Sequence, residues 1–129
     1  MKLSRRQRRF LELALKVSEL SEMPQQHGAV LEKNGNVLAL GANRSRNNPV
    51  FVTTIEKSEY SYHAEIQALK RHRGSAEGAT LYVARTGKLG NPADSKPCRS
   101  CQQTLDAAGI KRVIYTRTST IGHLLHGVI

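Results

Sequence analysis

Apolar residues recur at helical spacing near the start of the chain: Leu3, Phe10, Leu13, Val17 and Leu20, widened by Leu11, Ala14 and Leu15. Ser4 and Gln7 supply an S-x-x-Q capping box, so the pattern predicts a helix from about Ser4 to Leu20. The period then shortens. His27–Leu31 and Val37–Leu40 flank Asn34-Gly35, a tight-turn dipeptide, and predict a hairpin. Asn43 to Ser61 reads as a polar loop. In SYHAEIQALKRHR, Ile66 with Leu69 or Ala68 marks the core side of a second helix, closed by Gly74 and Gly78. Ala79–Arg85 is a buried-looking strand, followed by the loop TGKLGNPADSK. Pro97 leads into a third helix, Cys98–Ala108, which Gly109 ends, and Lys111–Thr116 is a fourth strand. The tail STIGHLLHGVI is either a fifth strand or one short helix. With no repeats and no low-complexity linkers, this order predicts one domain over residues 1–129, an α/β sandwich with one mixed sheet.

Charge narrows the partners. Lys and Arg number 20 against 10 Asp and Glu, and the pI is about 10.1. Lys2, Arg5, Arg6, Arg8 and Arg9 crowd the first nine residues; Lys70, Arg71 and Arg73 follow the second helix; Arg85, Lys88, Lys96 and Arg99 surround the cysteines. Such a surface attracts nucleotides, nucleic acid or acidic membrane, although any single run also serves plain solubility. Arg5 and Arg6 oppose the helix dipole by roughly 0.3–1 kcal/mol each, which points weakly to an anion outside the helix. No run of about 18 apolar residues exists, so no membrane span is expected. The basic-then-apolar N-terminus is interrupted by Glu12, Lys16 and Glu19 and lacks a small-residue cleavage site; a cytoplasmic location is the expectation. Aromatic residues are 5% of the chain, few for a stacking platform on single strands.

The chemistry lies in two short segments, His63-Ala64-Glu65 and Pro97-Cys98-Arg99-Ser100-Cys101. Two cysteines three positions apart are no disulfide framework; they read as a metal site or a redox pair. Either segment alone is weak, since a first helical turn explains the one and chance the other. Both, however, fall at predicted helix N-termini, where the dipole lowers thiolate pKa values. One histidine and two cysteines give zinc three ligands and leave a fourth position open, the catalytic arrangement. Glu65 then stands beside the metal rather than on it, free to move protons.

H-x-E followed by P-C-x-x-C resembles the zinc-dependent cytidine/deoxycytidylate deaminase superfamily. HAEIQAL and PCRSC carry the likeness, with GAVLEKNGNVLALGAN adding more weakly, from about His27 to Thr116. The resemblance implies a three-layer α/β/α cytidine-deaminase-like fold with a mixed sheet of about five strands. It implies Zn2+ on His63, Cys98 and Cys101, with Glu65 shuttling protons between water, the ring nitrogen and the departing ammonia. The Ala64 backbone N–H and Asn43 are implied substrate contacts, Asn43 serving equally well as a strand-end turn residue. Phe51 is the best-placed aromatic for stacking, or else anchors its loop. Homo-oligomers are common among such relatives.

The resemblance leaves the base open. HAEI-x-AL is close to tRNA adenosine deaminases, but the approach GKLGNPADSKPC is longer than theirs. Such enzymes, and nucleic-acid editors, place a helix between their fourth and fifth strands, making those strands parallel. Only 13 residues follow Thr116, which leaves room for an antiparallel strand or a short helix. The expected activity is therefore hydrolytic deamination of cytosine to uracil, in a nucleotide or single-stranded nucleic acid. The alternatives are adenosine deamination of tRNA and a catalytically silent, zinc-stabilised nucleic-acid-binding module. The latter has no use for Glu65. His27 and His72 are expected to be surface or capping residues, and His123 with His126 lacks the carboxylates of a second metal site.

Overall fold

The computed structural model describes residues 2–45, 61–87, 90–119 and 124–129. Helix α1 (Arg5–Ser18) forms where the spacing predicts it, and its capping box is complete. Ser4 Oγ accepts the Gln7 amide at 3.1 Å, and Gln7 Oε1 accepts the Ser4 amide at 2.9 Å. Two donors that a helix start otherwise orphans are thereby satisfied. Leu11, Ala14 and Val17 are buried, whereas Leu20, past the last turn, is 74% exposed.

Strands β1 (Gln26–Lys33) and β2 (Asn36–Ala42) form the expected hairpin. Asn34 and Gly35 both take positive φ (54° and 84°), as a type I′ turn requires. Beyond β2, strands β3 (Arg44–Ser45) and β4 (Ser61–Tyr62) make a small separate ladder at the two ends of the expected loop. Helix α2 (Ala64–Arg71) leads to β5 (Thr80–Thr86), and β6 (Pro92–Ala93) pairs with the end of β5. Helix α3 (Arg99–Ala107), β7 (Arg112–Arg117) and β8 (Leu125–Val128) complete the chain. Among the described residues the main sheet has six strands, in the order β2-β1-β5-β7-β8 with β6 beside β5. β5 and β7 are parallel; β8 returns antiparallel to β7, so the tail is a strand.

Alternation along β5 divides the core. Leu81 and Val83 join Ala64, Ala68 and Leu105 on the α2 and α3 side; Tyr82 and Ala84 join Leu11, Ala14 and Val17 on the α1 side. Three layers follow, as expected. Gly28 and Gly41 set the spacing of those layers. A Cβ on Gly28 would overlap the backbone of Ala14 and Ser18, and one on Gly41 that of Ala64 and Ala68. No helix among the described residues is long and apolar enough to cross a membrane.

The start of β1, the ends of β2 and β5 and the first turns of α2 and α3 meet at one end of the sheet. The start of α1 is at the other, where the Arg6 guanidinium lies against Gly35. The eight residues of β1 separate these ends by about 20 Å or more. The arginines that open α1 are thus remote from the residues the motifs single out.

Candidate metal and active site

His63 and Cys98 are the N-caps of α2 and α3. The cap position releases both side chains from the helix surface and aims them past the first turn. His63 makes no side-chain capping bond, so its imidazole is available. Cys98 Sγ accepts the Cys101 amide at 3.4 Å, and Cys101 sits one turn into the same helix, buried. His63 Nδ1 lies 3.1 Å from Cys101 Sγ and 3.9 Å from Cys98 Sγ. All three ligand atoms fall within 4.8 Å of one another.

This donor set fits zinc. Bond lengths of about 2.1 and 2.3 Å to nitrogen and sulfur put tetrahedral ligand atoms roughly 3.6 Å apart, a value the two His63–cysteine separations of 3.1 and 3.9 Å bracket. Burial pushes the Cys101 thiol well above its ordinary range, and the nearby Glu65 carboxylate pushes it the same way. Metal binding must therefore expel a proton from this site.

Glu65, in the first turn of α2, is only 4% exposed. Burial raises its pKa, opposed by a hydrogen bond from its own backbone N–H, the charge of His63 and a hydrogen bond from Cys101. The carboxyl is thus packed beside the ligand cluster and biased toward holding a proton. A cation on the cluster shifts that bias back toward the carboxylate. A carboxyl held beside the ligand cluster, able to take up and release a proton, suits proton transfer.

His63, Glu65 and Cys98 line a cleft of about 580 Å³, together with Ala64, His27, Asn43, Ser95, Lys96 and the Met23–Gln25 segment. Ala64 is the first residue of α2, where a backbone N–H has no intrahelical acceptor. Asn43 lines the cleft but also braces it: Oδ1 accepts the His27 amide at 2.9 Å, and Nδ2 donates to the Gln25 carbonyl at 2.7 Å. Phe51 lies outside the described residues.

Two features escape sequence reasoning. His27, expected at the surface or in a cap, lines the cleft wall, and burial followed by the charges of Arg85 and His63 lowers its pKa to about 4 against an opposing effect of Asp94. Its position at the start of a strand facing the second helix was the available signal. The other is a buried hydroxyl lock. Ser95 Oγ lies 2.8 Å from Thr116 Oγ1, donates to the Val83 carbonyl at 2.8 Å and accepts the Thr116 amide at 2.9 Å. It pins the segment that delivers Pro97 and Cys98, and two isolated hydroxyl residues give no pattern to read.

A three-layer α/β/α sandwich with a histidine and two cysteines at adjacent helix starts, and a buried glutamate beside them, defines a metal-dependent deaminase class. Residues 4–117 match the family described as the cytidine and deoxycytidylate deaminase zinc-binding region, and the chain belongs to that family. Among solved structures it is similar to the dCMP deaminase of cyanophage S-TIM5, at 27% identity and TM-score 0.67, covering 93% of this chain and 88% of that one. The cytidine deaminase of Burkholderia pseudomallei shares the fold at 19% identity and TM-score 0.64, covering 98% and 92%. A structure described as a tRNA:A34 deaminase, acting in A-to-I editing at the wobble position of transfer RNA, is 25% identical with TM-score 0.55, covering 89% and 79%. No curated protein matches the sequence.

Proposed function

We propose that this chain is a zinc-dependent hydrolase that converts cytosine to uracil in a nucleotide, with single-stranded nucleic acid as the wider substrate class. The observation that carries this reading is the buried Glu65 carboxyl against the His63–Cys98–Cys101 cluster at the end of an open cleft. Zinc bound there supplies Lewis-acid activation of water. Glu65 accepts a proton from the attacking water and passes it to the ring nitrogen. The second water proton follows the same route to the amino group, which leaves as ammonia. The Ala64 N–H, which has no intrahelical acceptor, hydrogen-bonds the base.

Two features favour cytosine in a nucleotide over adenosine in tRNA. β8 is antiparallel to β7, whereas tRNA-type relatives have a parallel pair there. The basic start of α1 is at the far end of the sheet and cannot border the cleft as a strand-binding rail. The test is mass-spectrometric deamination of a panel holding cytidine, CMP, dCMP, adenosine, cytosine-containing single-stranded DNA and a tRNA, with Glu65→Ala protein as the blank. Turnover of a cytosine compound by the wild type alone is expected. Conversion of adenosine or tRNA only would reverse the base assignment.

A further inference from the structure

The two cysteines differ in access. Cys98 is exposed, at the N-cap of α3 and on the lining of the cleft. Cys101, one turn further on, is 3% exposed. Their sulfurs are nonetheless neighbours, within the 4.8 Å that spans the ligand atoms of the cluster. The Cys101 amide donates to Cys98 Sγ at 3.4 Å, and the Cys101 thiol is in hydrogen-bond contact with Cys98 and with the Glu65 carboxyl. Lys96 and Arg99, both exposed, flank Cys98 along the chain.

A Cys-x-x-Cys pair on a helix N-terminus, its first sulfur open and its second covered, has the layout of a dithiol that reacts through the outer member and closes through the inner one. A large or charged reagent can reach Cys98 and cannot reach Cys101 directly. Once Cys98 has reacted, Cys101 is the thiol already beside it. We propose that Cys98 and Cys101 are also a reversible dithiol–disulfide pair, closed by a small anionic disulfide of the glutathione class, and that closure switches the metal site off. Lys96 and Arg99 favour the approach of such an oxidant. Cys98 breaks the sulfur–sulfur bond of glutathione disulfide, forms a mixed disulfide and releases one glutathione. Cys101 then attacks Cys98 Sγ and releases the second. The dithiol loses two electrons, glutathione disulfide gains them, and the two thiol protons leave on the two glutathiones. The disulfide offers no thiolate, so His63 alone is left of the three ligands. This regulation rests on the metal-site reading of the cluster and not on which base is deaminated.

The experiment incubates the zinc-loaded protein with glutathione disulfide and reads zinc release with a chromogenic chelator, free thiols by alkylation and the intact mass. Turnover is not the readout. Zinc release should run in step with loss of both thiols, with no lasting glutathione adduct, and dithiothreitol with added zinc should restore both. In chelator-treated Cys101→Ser, which lacks the closing thiol, one glutathione should stay attached. Cys98→Ser should react about tenfold more slowly or less, because its remaining thiol is buried. If these variants do not fold, peptide mapping of the wild type after brief exposure decides, and the first adduct should lie on Cys98. Retention of zinc and both thiols, a stable adduct on the wild type, or disulfides between chains would overturn the switch. Closure of the disulfide in protein that takes up no zinc would sink the metal-site reading, and the switch with it. Zinc release as expected from protein that deaminates no cytosine compound sinks the substrate reading alone.

Discussion

The role proposed for Glu65 is one that its neighbours in α2 cannot share, because its carboxyl is buried against the candidate ligand cluster. Glu65→Gln keeps the shape and removes the proton shuttle; turnover of the preferred substrate should drop by about 10²–10⁴-fold with zinc still bound, measured by steady-state assay and metal analysis. Retained activity would reassign the shuttle. His27 offers a pH test. Its folded pKa, about 4, is below the ordinary 6.5, so the unfolded chain binds the extra proton between those values. Stability is therefore present above pH 6.5 and lost as pH falls toward 4. In chelator-treated protein, His27→Gln should flatten the melting temperature over that window relative to the wild type. At this scale the candidate His63–Cys98–Cys101 cluster was legible from two short motifs, because metal chemistry restricts residue type; the shuttle role of Glu65 is the proposal made above. His27 and Arg85 were not, because what matters about them is a cross-strand register that no local pattern encodes.

At the scale of elements, close approach and caps decide. Gly41→Val would drive a branched side chain into the backbone of α2 at Ala64 and Ala68. It should destabilise the fold by about 1–3 kcal/mol in urea titration and weaken zinc binding, since α2 carries His63. Ser95→Ala would strand a buried part of the Thr116 network and loosen the segment before Cys98. A loss of about 1–3 kcal/mol is expected, again with weaker zinc retention. A stability loss with unaltered zinc affinity would show that the lock serves the core and not the site. The helices, the hairpin and the long strands followed their periodicities. The pairs β3–β4 and β5–β6 did not announce themselves, because two-residue strands are too short to show a period of two.

For the whole molecule, the ligand cluster joins α2 to α3, which otherwise meet along a short contact. Removing zinc by chelation should lower the melting temperature markedly and restore on adding zinc back, as binding energy becomes folding energy. An unaltered melting curve would mean the site adds nothing to the scaffold. Net charge of +10 does not by itself place a substrate, since the cations of α1 and those near the cleft lie at opposite ends of the sheet.

The chain's own pattern pointed to helices α1, α2 and α3 and to a mixed sheet, because periodicity and turn chemistry are local properties. It singled out His63, Cys98 and Cys101 as candidate ligands as well, because few residue types bind zinc, and the fold brings their ligand atoms together. Only the tertiary structure decided that the tail is a strand and not a short helix, that Arg85 stands beside His27, and that the basic start of α1 lies at the other end of the sheet from the cleft. Each of these depends on which strand lies beside which, and neighbours across a sheet are distant along the chain.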